Sequence, residues 1–370
     1  MTNNDMAAFD VANGDGVTGT GQKYLNTLGG WVDSLFLSLP GLIKPFLPRL
    51  SFRREDFERE LDFYFSEGYV DNPRSFFRQP ERIPDYRVAS MASSSGIPCE
   101  LISFVSDYRT VNPLVRERFD SHSANRTGYL IRWAHGDQGR KTVLCLHGFM
   151  LGEPAQAEKM FQVRRLFDAG LDVALFITPF HWRRAPESPF MRGMFLQPGD
   201  PAMTGECFGQ AMHDLHVSFG ILRDLGAGEI GLAGASLGGY NAALFISLCD
   251  EPAFAALIVP AVNMSRPFGV ETASHAFKAD TELMIKARKV WELHSPLHLQ
   301  PRIDRDHILI IASRGDRLCP FDQVLELCEK WDWPRHRFLT GGHWLIFNNR
   351  LRGRAWYSFL RDRGFMEPVF

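Results

Sequence analysis

Residues 229–240 read Glu-Ile-Gly-Leu-Ala-Gly-Ala-Ser-Leu-Gly-Gly-Tyr. Within them, Gly234-Ala235-Ser236-Leu237-Gly238 sets a serine between glycines two positions to either side. The apolar run before the serine has strand character, and the run after it, through Cys249, has helical character. A turn from strand to helix this tight needs residues without bulk two before and two after its apex, and glycine meets that demand. Such a turn strains the serine and exposes its hydroxyl at the carboxyl edge of a sheet. The helix that follows points its N-terminus at the hydroxyl, which favours developing negative charge there. The bland alternative is an ordinary glycine turn. The strand before and the helix after count against it.

Outward from this turn the chain alternates. Apolar strand-like runs lie at 142–148, 172–178, 229–235, 255–262, 306–313 and 336–340, with helical stretches between them, among them 154–169 and 206–225. Shorter β-like runs precede them at 99–106 and 128–134. Buried strands alternating with helices predict a mostly parallel sheet covered on both faces. The expected division is a tail and helical extension over 1–90 and a catalytic domain over 91–370. A cap excursion is expected at 264–305, with a helix from Asp280 to His294. Residues 1–23 read as a mobile polar tail. The arm Gly29–Arg54 is apolar but broken by Pro40, Pro45 and Pro48, so short pieces are expected there.

Bulk properties narrow the function. A hydrophobic fraction of 45% with 23% charged residues is that of a soluble globular chain. A formal net charge of -2 gives no general attraction for nucleic acid. The six cysteines form no CxxC pair and read as buried reduced thiols, without a disulfide or zinc framework. No basic segment precedes an apolar core at the N-terminus, and no apolar run reaches about 18 residues, so a cytoplasmic protein is expected.

A serine hydroxyl needs a base to take its proton, and the base needs a carboxylate to hold it. Of the twelve histidines, His343 follows the last predicted strand in Leu-Thr-Gly-Gly-His-Trp, at the same sheet edge as Ser236. Asp316 follows the strand at 306–313 in Ser-Arg-Gly-Asp-Arg, also at that edge, whereas Asp304 and Asp306 precede it. The order Ser236, Asp316, His343 fits nucleophile, acid and base. An oxyanion hole is expected from the N–H groups of Phe149, with Met150 as its competitor, and Leu237. His147 reads as a structural brace, and His213 and His216 as surface residues. His181, Arg183, Arg184 and Arg192 form a basic loop that could grip an acidic substrate, or simply be solvated.

The motifs LCLHGF, GASLGG, SRGD and GGHW resemble those of the α/β-hydrolase superfamily, over residues 98–360. The resemblance implies an eight-stranded, mostly parallel sheet and neither metal nor organic cofactor. More closely, Thr178-Pro179-Phe180 with the basic residues and Pro186 after it, the long N-terminal arm, and GGH before a basic helix resemble the α/β-hydrolase domain-containing proteins of type eighteen. The implied activity is cleavage of a small-molecule carboxylic ester or thioester through an acyl-serine. An acyltransferase would use the same three residues, and a non-catalytic binding protein is the remaining alternative. The arm and the excursion are expected to roof an apolar acyl pocket. Peripheral membrane contact through the arm, whose apolar run precedes Arg49, Arg53 and Arg54, is the variant reading.

Overall fold

Each strand-like apolar run from residue 99 onward becomes a strand of one sheet. The computed structural model describes residues 19–43, 53–186, 195–197, 199–265 and 281–367. Its strands are β1 (Tyr86–Met91), β2 (Cys99–Val105), β3 (Thr127–Trp133), β4 (Thr142–Leu146), β5 (Asp172–Phe176), β6 (Ile230–Ala235), β7 (Ala255–Ile258), β8 (Ile308–Ser313) and β9 (Arg335–Leu339). Across the sheet they run β1-β2-β3-β5-β4-β6-β7-β8-β9. The first three are antiparallel to their neighbours, and β5 through β9 pair in parallel.

Helices α1 (Gly19–Ile43), α2 (Arg54–Ser66), α3 (Arg116–Asp120), α4 (Pro154–Met160), α5 (Val163–Asp168), α6 (Pro201–Asp224), α7 (Leu237–Leu248), α8 (Thr281–Glu292), α9 (Phe321–Lys330) and α10 (Asn349–Asp362) surround the sheet. Successive side chains of a strand point to opposite faces, and β4 shows why its sequence is apolar throughout. Leu144 and Leu146 enter one core with Leu215, Leu244 and Leu327. Val143 and Cys145 enter the other with Leu166 and Phe359. A third cluster joins Phe57, Leu61 and Tyr64 of α2 to Leu283, Ala287 and Val290 of α8. At its rim Lys286 Nζ reaches Asp62 at 2.8 Å and Glu58 at 3.2 Å. Arg118 bridges Glu60 of α2 at 2.7 Å and Asp200, the N-cap of α6, at 2.9 Å.

Several expectations change. Among the described residues the sheet has nine strands where eight were expected. The additional edge strand β1 is exposed along most of its length and so carries no apolar run to announce it. The tail expected over 1–23 yields at Gly19 to α1, a continuous helix of 25 residues. Pro40 lies in its last turn, where it forgoes one hydrogen bond without breaking the earlier turns. Pro45 and Pro48 lie outside the described residues. The helix expected over 154–169 is two, divided at Gln162 with φ +52°. Of the excursion, residues 266–280 lie outside the described residues. Trp31, one of the apolar side chains of the arm expected to act as a roof, is 69% exposed.

Candidate active site

The turn between β6 and α7 puts Ser236 at φ +56°, ψ −116°. That region suits few residues other than glycine, and its strain is local to the apex. A Cβ on Gly234 would stand 2.1 Å from the Gly238 carbonyl oxygen, and one on Gly238 would stand 1.9 Å from that of Leu146. Both glycines are therefore required by close approach of backbone. The Ser236 N–H donates to the Ile258 carbonyl at 3.0 Å, which ties the apex to β7.

Asp316 leaves the end of β8 and His343 follows the end of β9. Both are buried, and the His343 Nδ1–H donates to Asp316 Oδ2 at 2.7 Å. The other carboxylate oxygen, Oδ1, accepts the N–H groups of Leu318 at 2.9 Å and Cys319 at 2.7 Å. Burial pushes the Asp316 carboxyl up, opposed by the His343 hydrogen bond. Burial also disfavours a charged His343, yet its neighbours outweigh this and hold its pKa well above the ordinary histidine value. Cys319 could add to that support only as a thiolate, and burial pushes its thiol up. Asp316 is therefore the partner that counts at neutral pH.

Cys319 was not singled out among the six cysteines, all of which are buried and free. Its Sγ lies 3.8 Å from Ser236 Oγ. The ligating atoms of Cys319, Asp316 and His343 all fall within 4.8 Å of one another. Among the described residues, Ser236 Oγ contacts this thiol and is not hydrogen-bonded to the His343 ring. Such bonds commonly tighten only once substrate is bound.

The loop after β4 passes beside the serine. A Cβ on Gly148 would lie 3.5 Å from Ser236 Cβ. Gly148 to Leu151 form a turn closed by the Leu151 N–H on the Gly148 carbonyl at 3.2 Å, with Met150 at φ +60°. Leu237, buried, opens α7, where the first N–H groups lack an intrahelical acceptor. His147 braces this loop. Its Nδ1–H donates to the Gly148 carbonyl at 2.8 Å and its Nε2 accepts the Thr178 N–H at 3.2 Å. Burial pushes its pKa down to about 4, so the ring is neutral.

No family model matches the chain. Two uncharacterized proteins of Mycobacterium tuberculosis are similar to it over 312 residues, 83% of this chain and 74% of theirs. They are 28% (strain CDC 1551 / Oshkosh) and 27% (strain ATCC 25618 / H37Rv) identical. Among solved structures, acetyl xylan esterase from Paenibacillus sp. R4 superposes with a TM-score of 0.56 at 13% identity, covering 87% of this chain and 98% of that one. Acetyl xylan esterase 1 from Thermoanaerobacterium sp. JW/SL YS485 gives 0.56 and 13%, covering 81% and 93%. The chain has the α/β-hydrolase fold.

In this α/β-hydrolase sheet, two sequence readings of charged residues fail. Arg184, read either as gripping an acidic substrate or as solvated, is fully buried. It pairs with Asp214 at 2.6 Å and donates to the carbonyls of Ile177 at 3.1 Å and Asn125 at 2.9 Å. Although burial opposes it, Arg184 holds the Asp214 carboxyl below its usual range. Arg183 stacks over the Trp182 ring at 4.8 Å, His181 is buried, and Arg192 lies outside the described residues. His213, read as a surface residue, is buried and lies 3.3 Å from both Asp107 and Asp214. The reason is that α6, sandwiched between sheet and extension, is buried along nearly its whole length. A groove of about 570 Å³ lined by Arg223, Glu229, Arg302 and His307 opens at the opposite sheet edge and touches none of the site. No described helix is long and apolar enough to cross a membrane.

Proposed function

We propose that this chain is a serine hydrolase that cleaves a carboxylic ester or thioester through an acyl-serine intermediate. One observation carries the reading: the buried 2.7 Å hydrogen bond from His343 to Asp316, at the sheet edge that also presents the strained Ser236. As Ser236 Oγ attacks the substrate carbonyl carbon, its proton passes to His343 Nε2. Asp316 fixes the ring with its other proton on Nδ1 and stabilises the imidazolium that forms. The carbonyl oxygen becomes an oxyanion facing the N–H groups of Phe149 and Leu237, each such donor being worth about 3 kcal/mol. Collapse breaks the bond to the leaving alcohol or thiol, which takes the proton from His343. Water, deprotonated by the same ring, then releases the acid and restores Ser236. An apolar acyl group is the substrate class this reading favours.

The test is labelling with a fluorophosphonate probe, followed by turnover of p-nitrophenyl esters of increasing chain length. Ser236→Ala should abolish both while the protein stays folded. Hydrolysis at the wild-type rate in that variant would refute the reading. Acyl transfer to an added alcohol in preference to water would reassign the enzyme as an acyltransferase with the same triad.

A further inference from the structure

Through its described side chains, the N-terminal helix α1 meets the loops that follow β8 and β9. The residues of α1 buried among those described are Gly29, Gly30 and Asp33, while Tyr24, Leu28 and Trp31 are exposed. Over these described residues α1 is not docked by an apolar stripe. Asp33, with no exposed surface, spends its carboxylate on backbone N–H groups far away in the chain. Oδ2 accepts from His343 at 2.8 Å and from Arg317 at 3.0 Å. Oδ1 accepts from His343 at 2.9 Å and from Trp344 at 3.3 Å. Asn26 Oδ1 accepts the Gly341 N–H at 2.9 Å. One carboxylate thus holds both the base itself and the residue next to the acid.

A second, steric observation falls on the same loops. Glycine in a helix interior costs about 1 kcal/mol relative to alanine, yet α1 carries Gly29-Gly30 in its middle. A Cβ on Gly29 would stand 2.0 Å from the Gly342 nitrogen, and one on Gly342 would stand 2.4 Å from the Gly29 carbonyl oxygen. A Cβ on Gly315, beside Asp316, would stand 2.4 Å from the Asn26 carbonyl oxygen. Helix and loops therefore interlock backbone against backbone, with no slack for a side chain.

We propose that α1 is a third part of the active site, with Asp33 a positioning residue that keeps His343 and Asp316 in register. The inference rests on the triad reading above. The relative placement of the two loops is set by a carboxylate 310 residues from His343 in sequence. A misplacement near 1 Å costs on the order of 10²-fold in rate, so turnover follows the seating of α1.

The experiment uses the full chain with Asp33→Ala, Gly29→Ala and, as a control on the exposed face, Trp31→Ala. Active sites are titrated with a fluorophosphonate, and kcat and KM for p-nitrophenyl butyrate are expressed per titrated site. Asp33→Ala and Gly29→Ala should lose on the order of 10²-fold in kcat with KM little changed, and Trp31→Ala should match wild type. If Asp33→Ala does not fold, Asn26→Ala, which removes one hydrogen bond, should still lose kcat by about two- to tenfold. A wild-type kcat per titrated site in the folded variants, with only the number of sites reduced, would overturn the proposal and make α1 a stabilising helix. Ser236→Ala measured alongside separates the two ideas. If it stays active, the triad reading falls and the positioning role with it. If it is inactive beside a fully active Asp33→Ala, the positioning role alone falls.

Discussion

Replacing Asp316 by asparagine tests the site at one nitrogen atom. In the native site Oδ1 accepts two N–H groups, from Leu318 at 2.9 Å and Cys319 at 2.7 Å, and Oδ2 accepts the His343 Nδ1–H at 2.7 Å. An asparagine has one oxygen and one NH2 group. The two backbone donors claim the oxygen, because turning the amide over would set its NH2 against both of them. The NH2 then faces His343 Nδ1 and forces that nitrogen to accept. The ring proton moves to Nε2, the atom that must be bare to take the proton of Ser236. Geometry and stability should be nearly unchanged, since the two backbone bonds survive, yet kcat should fall on the order of 10⁴-fold. Turnover of p-nitrophenyl butyrate measures the loss, and the ¹⁵N shifts of the His343 ring report the tautomer directly. Activity within tenfold of wild type, with Nδ1 still protonated, would refute the argument and require another carboxylate as the acid.

Three further outcomes follow from the same geometry. Because its neighbours together hold the His343 pKa above the ordinary value of about 6.5, and the base acts only when neutral, kcat/KM should rise with pH through a limb above 6.5; a profile flat from pH 5 to 9, or a limb below 6, would contradict a histidine held this way. Arg184→Met strands the buried Asp214 charge and should cost about 3–5 kcal/mol in urea unfolding while kcat per folded molecule stays the same; a cost under about 1 kcal/mol would mean that the pair is not buried as described. Methyl methanethiosulfonate adds a methylthio group to a thiolate, and on Cys319 that group would sit beside Ser236 Oγ, 3.8 Å from the native sulfur; inactivation should be slow at neutral pH, because burial holds the thiol protonated, and reversible with dithiothreitol, and a Cys319→Ala enzyme equally sensitive would place the reactive thiol elsewhere.

How much of this was legible beforehand depends on how far each property reaches along the chain. Ser236, Asp316 and His343 could be proposed because each lies within four residues of the end of an apolar strand, so a few neighbouring residues place each at the carboxyl edge. Cys319 sits only three residues from Asp316, but nothing local distinguishes a thiol turned toward the serine from one turned into the core. Arg184 illustrates the opposite failure. A charged residue in a basic, aromatic loop looks solvated until its partner Asp214 is seen to be buried beside it. The edge strand β1 escaped because neither of its faces is buried along its four central residues, which leaves no apolar alternation to read.

By itself the sequence determined the elbow at Ser236, since a strand-to-helix turn bracketed by Gly234 and Gly238 is a matter of sterics within five residues. It likewise determined the alternation of buried strands with helices, because burial on both faces demands unbroken apolar runs. Only the tertiary structure decided what α1 does. The seat of Asp33 on the N–H groups of Arg317, His343 and Trp344 joins segments that lie at opposite ends of the chain. A carboxylate that accepts from backbone amides leaves no matching side chain for a sequence pattern to register. The interlock of Gly29 with Gly342 is just as silent, because a glycine shows what is absent from a position and never which distant backbone fills the space.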